Sequence, residues 1–162
     1  MSGMAVRVIG IGQPGAGDDF AGIAVVRALG AAGRLPAGIG LHEIADPARL
    51  VDLLAGTARA VLVDAIADGG EPGTVACLAP EALACLPRAP YSSHGIGVAD
   101  AIALARVLAP DGDGPGIRIV AISIARPHGP GTTLSAPVAA AIPRAVACVR
   151  DLLTNETAAT AT

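Results

Sequence analysis

The sequence predicts an α/β fold, a three-layer α/β/α sandwich around a mostly parallel, roughly five-stranded twisted sheet. Three observations predict it. Short Val- and Ile-rich runs alternate with stretches whose apolar residues recur at helical spacing. Apolar residues make up 52% of the chain, with one Phe, one Tyr and no Trp, so the interior must be built from Ala, Val, Leu and Ile. That composition suits strands buried on both faces by helices. Finally, 162 residues supply a sizeable core and no linker divides them. Residues 1–154 therefore read as one α/β domain, and 155–162 as a disordered polar tail.

The elements follow in order. Ala5, Val6, Val8 and Ile9 form a short buried strand, and Gly22, Val25, Val26 and Leu29 recur at i, i+3, i+4, i+7 as a helix packed on the sheet. Ile39 to Ile44 alternates as a second strand. Asp46-Pro47 opens a helix through Leu50, Val51 and Leu54, with Asp46 as N-cap and Pro47 at the first position. Ala60 to Val63 is continuous and apolar, the most central strand by pattern, and is expected to end at Asp64. Glu71 to Thr74 is a turn, and Val75 to Leu78 returns as an antiparallel edge strand because its connection is short. Ala79 to Pro90 is a weakly patterned connector. Val98, Ala101, Ile102 and Ala105 trace the buried face of a helix, which puts Ser92, Ser93 and His94 at or just before its N-terminus. Asp111 to Gly116 is a loop, Ile117 to Ile124 the last strand, and Arg126 to Thr133 a second loop holding His128. The final helix is expected from about Ser135 to Leu153, with Pro143 kinking it.

Composition excludes several function classes. Lys plus Arg number 11 against 14 for Asp plus Glu, a net charge of -3, and with almost no aromatics to stack bases the chain offers no nucleic-acid surface. No apolar stretch reaches the roughly 20 residues of a membrane span, and a first strand beginning by Ala5 leaves no room for a signal peptide. A cytoplasmic protein is the expectation. Cys77, Cys85 and Cys148 have no C-x-x-C spacing, and are expected as small hydrophobes in the core rather than as a zinc site or disulfide framework.

The chemistry concentrates at strand ends. Gly10 to Asp19, GIGQPGAGDD, is a strand-to-helix loop whose Gly10, Gly12 and Gly15 fit the spacing of a dinucleotide-binding turn. Asp18 and Asp19 oppose that reading, because they put negative charge where phosphates would sit, and Pro14 removes a donor N–H. The competing readings are cation-binding carboxylates and a simple N-cap. Asp64, at the end of a buried strand, must be hydrogen-bonded, paired or metal-bound to offset desolvation, or else bond its own backbone as a turn residue. In a doubly wound sheet Asp19 and Asp64 would converge on the carboxyl edge, where such folds bind ligands. A helix N-terminus disfavours protonated imidazole, so His94 is expected to be neutral near pH 7 and available to a metal or a proton. Two carboxylates and an imidazole suit a borderline divalent ion such as nickel or zinc. Neither HExxH nor G-x-S-x-G occurs in the chain.

The stretch VRVIGIGQPGAGDDFAGIAVVRAL resembles the N-terminal signature of the hydrogenase maturation endopeptidases, which cleave the C-terminal extension from the large subunit of nickel-iron hydrogenases after nickel insertion. The resemblance continues through VLVDAIADGGEPGTV and SSHGIGVADAIALARVL to LSAPVAAAIP, covering nearly the whole domain. It implies an aspartyl-type endopeptidase in which Asp19, Asp64 and His94 are the metal-contacting and catalytic residues. The implied metal is the nickel carried by the substrate, with no permanent organic cofactor, and the implied partner is the hydrogenase large-subunit precursor. Gln13 stands where that family usually has Asn, and Glu43 to Pro47 replaces a Gly-Gly-Thr stretch. Two other readings stay open: a non-catalytic metal- or partner-binding relative of the same fold, and a dinucleotide-binding domain. Oligomeric state is not encoded in any of these patterns.

Overall fold

The computed structural model describes residues 5–86, 97–109, 116–125, 131 and 133–159. Five strands, β1 (Ala5–Ile11), β2 (Ile39–Ile44), β3 (Thr57–Ile66), β4 (Val75–Leu78) and β5 (Gly116–Ser123), form one sheet in the order β2-β1-β3-β5-β4. All neighbours pair in parallel except β4, which runs antiparallel to β5 on the edge. The helices are α1 (Ala21–Ala31), α2 (Leu50–Leu54), α3 (Pro80–Leu83), α4 (Val98–Leu108) and α5 (Ala136–Ala159). The expected three-layer sandwich is observed.

Each face of the sheet has its own apolar core. On one, Val8, Val61, Val63 and Val120 meet Val25, Val26 and Leu29 of α1 and Val138, Ala141, Ala145 and Val149 of α5. On the other, Ile9, Leu62 and Ile119 meet Leu50 and Leu54 of α2 and Ala101, Ile102 and Ala105 of α4. Alternate residues of β1 and β3 thus serve opposite layers, as two-sided burial requires. Asp46 caps the 3-10 turn Pro47–Arg49 that leads into α2, its side chain accepting from the Ala48 N–H at 2.9 Å.

Three expectations need correction. β3 runs past Asp64 to Ile66, because β5 extends equally far and pairs Asp64 with Ala121 and Ile66 with Ser123. α5 continues beyond Leu153 to Ala159, with Pro143 inside it. Cys77 and Cys85 are exposed rather than in the core, since one lies on the edge strand and the other just past the short α3; Cys148 is half-buried. Ser92, Ser93, His94 and His128 lie outside the described residues.

Candidate active site

The approach of α1 to the sheet begins with glycine. A Cβ on Gly22 would collide with the carbonyl oxygens of Ile11 and Val63, and one on Gly10 would meet the Gly22 carbonyl at 2.5 Å. Any larger residue would push the start of α1 off the carboxyl ends of β1 and β3. Gly12 is equally constrained, against the Asp19 carbonyl. Gly10 and Gly12 are thus explained by chain-on-chain packing, and neither leaves the room a pyrophosphate needs.

That close approach sets the 3-10 turn Gly17–Phe20, which carries both aspartates, over the sheet edge. The two have different environments. Asp18 is 4% exposed, and its Oδ1 accepts from the Ser135 N–H at 2.6 Å, tying the turn to the start of α5. Asp19 is half-buried; its Oδ2 accepts from the Gln13 N–H at 3.2 Å. Neither carboxylate caps the turn or α1. Gln13 also donates from Nε2 to the Ala45 carbonyl at 3.1 Å, so its longer amide bridges the β1 turn to the segment after β2. Residue 131 completes the frame through the hydrogen bonds Gly17 N–H to Gly131 O (2.8 Å) and Gly131 N–H to Gly15 O (2.9 Å).

Asp19 and Asp64 are brought together. Burial pushes the Asp64 carboxyl up to about 8, the negative charge of Asp19 pushes it further the same way, and the Ala65 N–H opposes them. Burial also raises Asp19, against the Gln13 N–H. Asp64 keeps some solvent contact, although it sits deep among neighbouring atoms. A half-buried carboxylate beside a buried carboxyl whose proton affinity it raises forms a site ready to take a cation or to hold a proton for transfer. Among the described residues, no group of three His, Cys, Asp or Glu is placed to hold a metal. The third ligand expected from the sequence, His94, lies outside those residues.

A match to the HycI hydrogenase maturation protease family model spans residues 45–151, more than half the chain. The chain belongs to the hydrogenase maturation protease family. Members of known structure superpose along nearly its full length. The hydrogenase maturating endopeptidase HybD of E. coli gives a TM-score of 0.81 at 26% identity, covering 94% of both chains. HybD of Thermococcus kodakarensis, a [NiFe] hydrogenase maturation protease, gives 0.73 at 28% identity, over 93% of this chain and all of its own. A hydrogenase 2 maturation peptidase from a Thaumarchaeota archaeon gives 0.63 at 27%, over 93% and 98%. No curated protein sequence matches. The maturation protease is accordingly a peptidase.

Pattern reading missed several polar contacts of this maturation protease. Asp68 lies just beyond β3, where its Oδ2 accepts from the Ser123 hydroxyl at 3.0 Å and its Oδ1 from the Gly70 N–H at 2.9 Å, joining the ends of β3 and β5. Only the Asp-Gly-Gly turn composition hinted at it. The distinct role of Asp18 had no signal, because its partner is 117 residues away. No helix among the described residues is long and apolar enough to cross a membrane.

Proposed function

We propose that this maturation protease removes the C-terminal extension of a nickel-loaded hydrogenase large-subunit precursor, and that Asp19, Asp64 and His94 hold the substrate's nickel during recognition. The observation that carries the reading is the pairing of Asp19 with Asp64. Placing two carboxylates together at the partly buried carboxyl edge of a parallel sheet is costly for a metal-free protein, and a divalent cation would relieve that repulsion. An imidazole at the third position suits nickel, a borderline ion. Nickel enters as part of the substrate, and it orients the scissile peptide over the two carboxylates. Without it, the binding energy that positions the peptide is missing, so processing would wait for metal insertion. In the metal-free protein burial and Asp19 hold the Asp64 carboxyl up to about 8, so taking up nickel would displace a proton there.

The test is processing of a purified precursor with and without nickel. Nickel-loaded precursor should be cut by the wild type, and at least ~100-fold more slowly by Asp64→Asn, the usual scale for losing a positioned acid or base. Equal cutting of nickel-free and nickel-loaded precursor would overturn the recognition step. Nickel-dependent binding of precursor without cleavage would identify a non-catalytic relative.

A further inference from the structure

A second arrangement of reactive side chains lies away from the carboxylates, where α5 crosses the edge strand. α5 begins at the carboxyl edge, where the Ser135 N–H meets Asp18, and reaches the amino edge by Leu152, whose carbonyl accepts from Arg59 Nη2 at 3.2 Å. It therefore runs antiparallel to β5, as β4 does, so α5 and β4 run the same way. Their starting points are pinned together. Arg144 Nη2 donates to the Gly73 carbonyl at 2.8 Å, and Gly73, at φ +87°, lies against the Pro137 carbonyl.

From that common origin, about 16 Å of helix separates Pro137 from Cys148 at 1.5 Å per residue. About 13 Å of strand separates Gly73 from Cys77. The two cysteines thus arrive at nearly the same level. Strand alternation puts Cys77 on the face of Val75, which packs in the α5 core, and Cys148 packs in that same core. Ala141 and Ala145 on the buried face of α5 allow the helix a close approach. Burial pushes the Cys148 thiol up, and neighbouring Cys77 pushes it further the same way. Cys148 also lines a cleft of about 510 Å³ with Glu71, Thr74 and Arg144, and Cys77 is exposed, so small molecules can reach either thiol.

We propose that Cys77 and Cys148 are a redox pair that a low-molecular-weight disulfide, such as oxidised glutathione, converts into an intramolecular disulfide fastening α5 to β4. Cys77, the exposed thiol, loses its proton to solvent and attacks one sulfur of the oxidant, forming a mixed disulfide and releasing one small thiolate. Cys148 then loses its proton and attacks the Cys77 sulfur, displacing the second small thiolate. Both released thiolates take up protons. The two cysteines are oxidised by two electrons, and the small disulfide is reduced to two thiols. The sulfurs must close to about 2.05 Å. Cys85, exposed beyond α3, would react with the same oxidant and is replaced in the test.

The full chain, in a Cys85→Ser background, would be incubated with oxidised glutathione, alkylated, and analysed by intact mass and peptide mapping. The expected product is two hydrogens lighter, refuses alkylation, yields a linked Cys77–Cys148 peptide, and reverts with dithiothreitol. Its thermal midpoint should lie above that of the reduced form. Adding Cys148→Ser should trap glutathione on Cys77. A stable glutathione adduct on Cys77 with Cys148 still alkylated in the Cys85→Ser chain would overturn the proposal, as would two free thiols after oxidation.

Discussion

The two edges of the sheet treat their charged side chains in opposite ways. At the amino edge the long cations are spent on chain ends: Arg7 donates to the Leu53 carbonyl in the last turn of α2, and Arg59 to the Leu152 carbonyl late in α5. At Leu53, in the closing turn of α2, the cation satisfies an orphan acceptor and favours the helix dipole; at Leu152, inside α5, it adds a second donor and ties the helix to β3. At the carboxyl edge Asp18, Asp46 and Asp68 are used in that manner, each accepting from a backbone N–H. Asp19 and Asp64 are different: burial raises both, and the charge of Asp19 adds to the cost of ionising Asp64. The difference separates scaffold from function: one edge satisfies its charges to hold the layers together, whereas the other keeps, close to Asp19, a buried carboxyl that holds its proton up to about 8.

The sharpest way to break that contrast is at Gly22. Ala there would drive a methyl into the Ile11 and Val63 carbonyls. The expected loss is about 3 kcal/mol or more of stability, read by denaturant unfolding. A variant of wild-type stability would mean that close packing does not hold the carboxylates in place.

A second effect is the pH dependence of the metal-free protein. The folded Asp64 keeps its proton up to about 8, whereas an unfolded aspartate releases it near an ordinary carboxylate pKa. The folded state thus binds more protons through that window, so stability is full below it and falls as pH rises toward 8. The drop should be on the order of a few kcal/mol between about pH 5 and pH 9, and Asp64→Asn should flatten it. Stability rising with pH in the wild type would contradict the environment assigned to Asp64.

A smaller change is expected at the amino edge. Arg59→Ala should cost about 1–3 kcal/mol by removing a charged donor from the Leu152 carbonyl, while leaving metal affinity unchanged. A change in metal affinity without loss of stability would erase the division between the edges.

Most of the fold was legible because local pattern and burial agree. The stripe Gly22, Val25, Val26 and Leu29 is the buried face of α1, and β2 has the bounds its alternation implies. The convergence of Asp19 and Asp64 was also legible, since parallel strands finish at one edge. The errors share one cause, which is that sequence pattern does not show neighbours. Asp64 reads as the end of a strand, yet β5 carries the pairing on to Ser123. Cys77 and Cys85 read as core in a chain this apolar, but the edge position of β4 and the shortness of α3 leave them exposed. Asp18 and Asp19 look equivalent as neighbours. Only the distant Ser135 N–H distinguishes the structural carboxylate from the one facing Asp64.

The central claim is that the carboxyl edge is a metal-recognition site, and calorimetric titration of nickel into the purified protein tests it most directly. The wild type and Asp18→Asn should bind one equivalent, while Asp19→Asn, Asp64→Asn and His94→Ala should lose it. Binding that persists in all three of those variants would contradict the assignment and return Asp19 and Asp64 to the scaffold.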